Sequence, residues 1–239
     1  MNNTRQTRNC IGLMVAAAVT VSTYSVVKSH SLHLYFALMV LALAALTSRM
    51  KVKLPGVNGN MSVNLPFLLT AIVNLSGAEA VVITWVCALV QCWPKKGAKL
   101  KPQQMIFNLG MMTFATCLAN VVFRVSSGQN AAWSLPLGLA LATATLLLGQ
   151  TVPVAAIVSI SEGKPTLSIF RNVSQLSFPY YVVSAGIVAM LEMVGNHMGW
   201  PLALAVFPVM YGIHASYRFY FGKMTETVPG QVLARAAHA

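Results

Sequence analysis

Eight apolar stretches, roughly residues 10–27, 31–47, 62–75, 78–93, 105–123, 134–160, 178–195 and 200–221, follow one another with only short polar segments between them. A membrane span needs about 20 residues to cross a hydrocarbon core about 30 Å thick, so most of these stretches qualify, while 62–75 and 78–93 are short. In lipid the backbone has no water to bond, and a chain of this pattern must satisfy its own N–H and C=O groups as helices. The sequence therefore predicts an all-α, polytopic transmembrane helix bundle over residues 1–221, followed by a short tail, 222–239.

Composition agrees: 56% of residues are hydrophobic and 8% charged, where a soluble domain carries about 25% charged. The acids are four glutamates, Glu79, Glu162, Glu192 and Glu226, with no aspartate. That removes paired-aspartate sites, Asp-led triads and acidic magnesium cages from consideration.

The net charge of +12 raises the question of a nucleic-acid surface, which the placement of the basic residues answers. If the N-terminus is cytoplasmic and all eight stretches cross, the inner segments hold Arg5, Arg8, Arg49, Lys51, Lys53, Lys95, Lys96, Lys99, Lys101, Lys164, Arg171, Arg218, Lys223 and Arg235. The outside holds only Lys28 and Arg124, so 14 inside plus 2 outside makes all 16. This is the positive-inside pattern, with both termini cytoplasmic, and it gives no support to a nucleic-acid partner. A single helix over 62–93 would put the Arg49–Lys53 and Lys95–Lys101 clusters on opposite faces, so a break near Ser76-Gly77 is predicted. Two short spans and one re-entrant hairpin give the same parity.

Proline and tryptophan placement fits these boundaries. Pro66, Pro136, Pro179 and Pro201 are expected in first turns, Pro94 and Pro102 bracket the lysine loop, and Pro153 and Pro208 lie inside spans. Trp93, Trp133 and Trp200 sit at predicted interfaces. The first stretch follows basic residues as a signal peptide does but lacks a small-x-small cleavage site, and is read as the first span. Thr166–Ser177, with Lys164 and Arg171 nearby, reads as an amphipathic helix on the cytoplasmic face or as a plain connector.

Few residues offer chemistry. Cys10, Cys87, Cys92 and Cys117 form no C-x-x-C pair, and Cys87 and Cys92 are about 140° apart around a helix, so buried free thiols are expected. His30, His33, His197, His214 and His238 are scattered, and no metal or cofactor is expected. Ionisable groups near membrane depth carry more weight, because burying them is expensive. Glu79 follows the Ser76-Gly77 break, where a helix dipole favours a carboxylate, and reads as a helix cap or a ligand contact. Glu192 and Arg124 fall at the same outer face; they read first as separately exposed to interfacial water and second as an ion pair. The amides Asn74, Asn108, Asn120 and Gln150 either line a ligand cavity or bond across helices. Gly138-x-x-x-Ala142 and Ala140-x-x-x-Ala144 are expected at internal helix contacts. No G-x-S-x-G, Walker loop or H-E-x-x-H is present, and Gly56-Val57-Asn58-Gly59-Asn60 reads as a tight turn.

Two resemblances follow from particular segments. Leu54 through Phe67, then Ser76-Gly77-Ala78-Glu79-Ala80, Val158 through Lys164, Phe178-Pro179-Tyr180-Tyr181-Val182 and Tyr211 through Tyr220 resemble the multi-pass membrane region that precedes HD-GYP and GGDEF signalling domains in bacteria. That resemblance implies a sensory or ligand-binding module in a bacterial inner membrane; the tail beyond Tyr220 has no HD or GYP residues, so no output activity is implied. The turn, short helix, break and short helix across 54–93 are also similar to the S-components of energy-coupling-factor vitamin importers, which implies substrate capture and uptake. The expectation is thus a non-enzymatic membrane protein in contact with the lipid bilayer. Its ligand is a small molecule held by some of Asn74, Glu79, Asn108, Asn120, Gln150 and Glu192. As a sensor it would act through a cytoplasmic protein partner contacting Arg218–Ala239; the alternative is a transport subunit.

Overall fold

The computed structural model describes residues 2–29, 32–53, 60–94, 101–127 and 134–198, with isolated positions between 208 and 219. Among these residues the chain forms helices α1 (Asn2–Val27), α2 (Leu34–Ser48), α3 (Leu65–Asn74), α4 (Gly77–Cys92), α5 (Pro102–Ser127), α6 (Ser134–Glu162) and α7 (Thr166–Met198). A small antiparallel hairpin, β1 (Lys51–Lys53) with β2 (Asn60–Ser62), links α2 to α3 and pairs Lys51 with Ser62 and Lys53 with Asn60. The expected turn at 56–60, the lysine loop at 95–100, the eighth apolar stretch and the tail lie outside the described residues, apart from Asn60 in β2 and isolated helical positions in 208–219.

Four helices, α1, α5, α6 and α7, are long and apolar enough to cross a membrane, whereas α2, α3 and α4 have 15, 10 and 16 residues. The chain is a helical, multi-pass membrane bundle. At 1.5 Å per residue α3 reaches only about 15 Å, half of a hydrocarbon core, so its far end stops inside the protein. The break expected near Ser76-Gly77 is present: α3 ends at Asn74 and α4 begins at Gly77.

The centre of the bundle is α5. Of its most apolar window 61% is buried, against 17–33% for α1, α6 and α7, and it packs on α1, α3, α4 and α6. Its closest neighbour is α6, and small residues set that approach: a β-carbon on Gly149 would stand 2.9 Å from Ala115 Cβ and 3.1 Å from Ala115 Cα. Gly138 and Ala142 are buried in the same seam, with Gly138 against Phe123 and Ser126. Ala140 and Ala144 are exposed, which corrects their expected place at an internal contact: they lie on the outward side of α6.

The segment Thr166–Ser177 is neither a separate surface helix nor a connector. It is the first part of α7, which runs unbroken for 33 residues, so the helix starts well before the apolar stretch at 178–195. Pro179, expected in a first turn, is therefore inside a helix, where its missing N–H leaves the Gln175 carbonyl without its usual helical donor. The turn from α6 into α7 is short and firmly tied. Gly163 takes a positive φ of 68° and its N–H donates to Ser159 O (2.9 Å), Ser159 Oγ donates to Lys164 O (2.7 Å), and Thr166 Oγ1 donates to Ser159 Oγ (2.8 Å). A left-handed glycine just past a helix end is the conformation that stops a helix at lowest cost.

The helices leave the bundle with two distinct ends. At one, the last turns of α1 and α5 meet the α3–α4 break. At the other, the first turns of α1 and α5 meet the last turns of α6 and the early part of α7.

Candidate functional site

At the first end, two helix termini face each other inside protein and must be capped there. A helix leaves its last carbonyls and first N–H groups without intrahelical partners. For α3 the donors come from α5: Asn120 Nδ2 donates to Ile72 O (2.9 Å), and Arg124 Nη2 donates to Leu75 O (2.7 Å). Arg124 Nε also donates to Asn120 Oδ1 (3.1 Å), so the two side chains hold one another in place. The guanidinium at a helix C-terminus opposes the negative end of the helix dipole. For α4 the acceptors are local. Ser76 and Glu79 form a capping box, in which Ser76 N donates to Glu79 Oε2 (2.9 Å) and Glu79 N donates to Ser76 Oγ (3.3 Å). Glu79 Oε1 also accepts from His33 N (2.6 Å), tying the start of α2 to the same point.

Asn74 and Glu192 complete this end: Asn74 Nδ2 donates to Glu192 Oε1 (2.5 Å), linking α3 to α7. Glu192 and Arg124 neither pair with one another nor simply face interfacial water: each bonds to α3 or its C-terminal cap. Arg124 is drawn instead to the uncapped carbonyl of Leu75, a fully buried residue, and the acid takes the amide on α3. Four of the six residues singled out from the sequence are thus gathered here, and each is occupied by a structural hydrogen bond.

Asn108 and Gln150 lie at the opposite end, where a cavity of about 410 Å³ opens between α1, α3, α4, α5, α6 and α7. Its polar lining is almost entirely amide and hydroxyl: Asn64, Gln91, Gln103, Gln104, Asn108 and Gln150, with Tyr180 and Tyr181. The apolar lining is Ile11, Leu65, Leu68, Phe107, Met111, Met112, Val154 and Ile157. Among the described residues no acidic or basic side chain lines it. Two contacts fix its deep wall. Tyr181 OH donates to Gln150 Oε1 (2.8 Å), joining α7 to α6, and Tyr180 OH accepts from Leu65 N (3.1 Å), satisfying a first-turn N–H of α3. Asn64 Nδ2 donates to Ser48 Oγ (3.0 Å), and Asn108 Nδ2 donates to Cys92 Sγ (3.4 Å). Among the described residues Gln150 Nε2 and Asn108 Oδ1 have no partner, so one donor and one acceptor are presented to the cavity.

This lining suits an uncharged molecule with an apolar body and a few hydrogen-bonding groups. A full charge placed there would lose its hydration and meet no counter-ion. The sequence reading missed Asn64, Gln91, Gln103, Gln104 and the tyrosine pair as site residues. The signal was present in the clustering of three glutamines on either side of the lysine loop, since Gln91 near the end of α4 and Gln103-Gln104 at the start of α5 line the same cavity. The cysteines are free thiols, and among the described residues no three His, Cys, Asp or Glu side chains gather as a metal site. His30, His214 and His238 lie outside the described residues, as do Trp133 and Trp200.

Compared with known proteins, the chain matches no protein-family model, no curated protein and no solved structure.

Proposed function

We propose that this chain is a non-enzymatic, ligand-binding membrane module of a bacterial inner membrane, which holds a small uncharged molecule in the Gln150–Tyr181 cavity. The observation that carries this reading is the cavity itself: about 410 Å³, rich in amides, free of charge, and braced by the Tyr181–Gln150 hydrogen bond between α6 and α7. The cavity lies at the end of the bundle where Arg5, Arg8, Lys101, Lys164 and Arg171 also lie. By the positive-inside rule that end is cytoplasmic, with both termini. A ligand taken up there is an intracellular one, and occupancy is passed to a cytoplasmic protein partner through α7 and the segment Arg218–Ala239.

The alternative, a transport subunit that captures its substrate from outside, is less well supported. Between the cavity and the other end, α3 and α5 place Leu69, Ile72, Ala115 and Ala119, each fully buried, and among the described residues the cavity shares no lining residue with the pocket at that end. Catalysis is disfavoured by the dispersal of the acids and histidines along the chain, and among the described residues no acid–base pair lines the cavity.

The test is to extract and identify by mass spectrometry whatever small molecule co-purifies with the full chain. Gln150→Leu should reduce its retention about tenfold, the loss of one or two buried hydrogen bonds, and Val154→Trp, which fills the cavity, should abolish it. Equal retention in all three proteins would refute the site, and loss of metabolite uptake on deletion, with no retained ligand, would favour transport. Topology is checked separately. In a background without native cysteines, a membrane-impermeant thiol reagent added outside should label a cysteine at Gln129 and not one at Lys99; the reverse pattern inverts the orientation.

A further inference from the structure

The two basic residues that depart from the one-sided charge distribution, Lys28 and Arg124, are 96 positions apart in sequence and line one pocket. This second pocket, of about 260 Å³, lies at the α3–α4 break, far from the amide cavity, and shares no lining residue with it. From the convergence of Lys28, Arg124, Ser25 and the first turn of α4 on this pocket, we infer that it is a binding site for a phosphate-type anion.

Four groups supply the recognition. Lys28 has no carboxylate within ion-pairing distance among the described residues; its ammonium lies 5.1 Å from the Tyr24 ring centroid, which leaves its N–H donors unspent. Arg124 commits one N–H to Leu75 O and another to Asn120, and the remaining guanidinium donors are without partners among the described residues. Ser25 is only 5% exposed, and among the described residues its hydroxyl has no oxygen or nitrogen partner; the neighbour that engages it is the Cys117 thiol, a weak hydrogen-bonding group. The Gly77 N–H belongs to the first turn of α4 and has no intrahelical acceptor. The absence of a side chain on Gly77 keeps this corner tight, since a β-carbon there would fall 2.8 Å from Ser25 O.

The surroundings are consistent with an anion and not with a cation. Glu79, the nearest acid in sequence, does not line the pocket, because both its oxygens are turned to Ser76 and to His33 N. Asn120 and Ser29 each donate one and accept one structural hydrogen bond, while the Lys28 ammonium, the free Arg124 N–H groups and the Gly77 N–H are donors alone, which leaves the pocket with spare donors in excess of spare acceptors. Phosphate offers several acceptor oxygens and charge-assisted bonds to lysine and arginine. The same group is carried by a free phosphate and by the headgroup of an anionic phospholipid at the membrane surface.

Two arms separate these sources. The purified, delipidated full chain is titrated with inorganic phosphate against chloride at equal ionic strength, and separately with mixed micelles of phosphatidylglycerol against phosphatidylcholine. The readouts are thermal stabilisation and native mass spectrometry. Binding is expected in at least one arm, and the arm that responds names the source. Lys28→Gln, which removes no structural bond, should weaken binding about tenfold, the loss of one charge-assisted hydrogen bond. Ser25→Ala, which keeps both charges, should weaken it about threefold, in line with one neutral hydrogen bond. No binding of either probe overturns the inference, as does binding that Lys28→Gln leaves unchanged. A loss with Lys28→Gln but none with Ser25→Ala also overturns it, since that is the behaviour of a diffuse basic surface.

Discussion

Asn120→Leu should lower the thermal unfolding midpoint of the purified chain by about 5–10 °C, although the replacement is close in volume and adds apolar surface to a buried position. Asn120 is 2% exposed and does two things at once. Its N–H group caps the Ile72 carbonyl of α3, and its carbonyl oxygen accepts from Arg124. Leucine leaves a carbonyl unpaired in a fully buried residue and frees Arg124 from its anchor, at an expected cost of about 2–4 kcal/mol. Because Arg124 caps Leu75, the residue immediately after α3, and is itself held by Asn120, Asn120→Leu and Arg124→Leu should be strongly non-additive in a double-mutant cycle. Additive losses, or no shift with Asn120→Leu, would mean that the α3 terminus is satisfied in some other way.

A second large effect is expected where α5 and α6 come closest. Gly149→Leu places a β-carbon 2.9 Å from Ala115 Cβ and 3.1 Å from its Cα, with the rest of the side chain still to be housed, against atoms that cannot move without the helix. The helices must separate, costing about 3 kcal/mol or more. The outcome should be a chain that aggregates or elutes heterogeneously in detergent. Gly186 is the control of opposite sign. It lies in α7 with nothing within 4 Å of the β-carbon position, so Gly186→Ala should stabilise by about 0.5–1 kcal/mol through helix propensity alone. If both variants behave alike, close packing at Gly149 is not what holds α5 to α6.

Much of this architecture was legible because lipid leaves the chain few options. The apolar stretches match α2, α3, α4, α5 and α6 to within about four residues at either end, and the charge bias favoured the break at Ser76-Gly77; α1 starts eight residues ahead of its stretch, at Asn2. Ser76 and Glu79 were legible as well, since a serine three residues before a glutamate at a helix start is a local signal. What escaped were features set by tertiary context. Polar residues ahead of an apolar stretch look like a surface segment, but α7 begins at Thr166 because Ile169 and Val173 bury against Ala155 of α6. Asn74, Asn108, Asn120 and Gln150 were indistinguishable in sequence, each an amide in an apolar run. Only the fold assigns two of them to a broken helix and two to a cavity, because the choice depends on which carbonyl ends without a partner nearby. The same holds for Arg124, whose attraction to a helix terminus was stronger than the plain opposite-charge pairing with Glu192.

The short helices α2 and α4, packed side by side, also make the molecule uneven in height. At 15 and 16 residues they rise about 22 and 24 Å, against about 39 Å for α5, and they turn Tyr35, Leu38, Leu46, Val82, Trp85 and Leu89 outward. A hydrocarbon core of about 30 Å overshoots that flank by roughly 6–8 Å while fitting the other. Where lipid covers this flank, acyl chains along α2 and α4 would have to shorten or tilt to match its height, so the two sides of the bundle suit bilayers of different thickness.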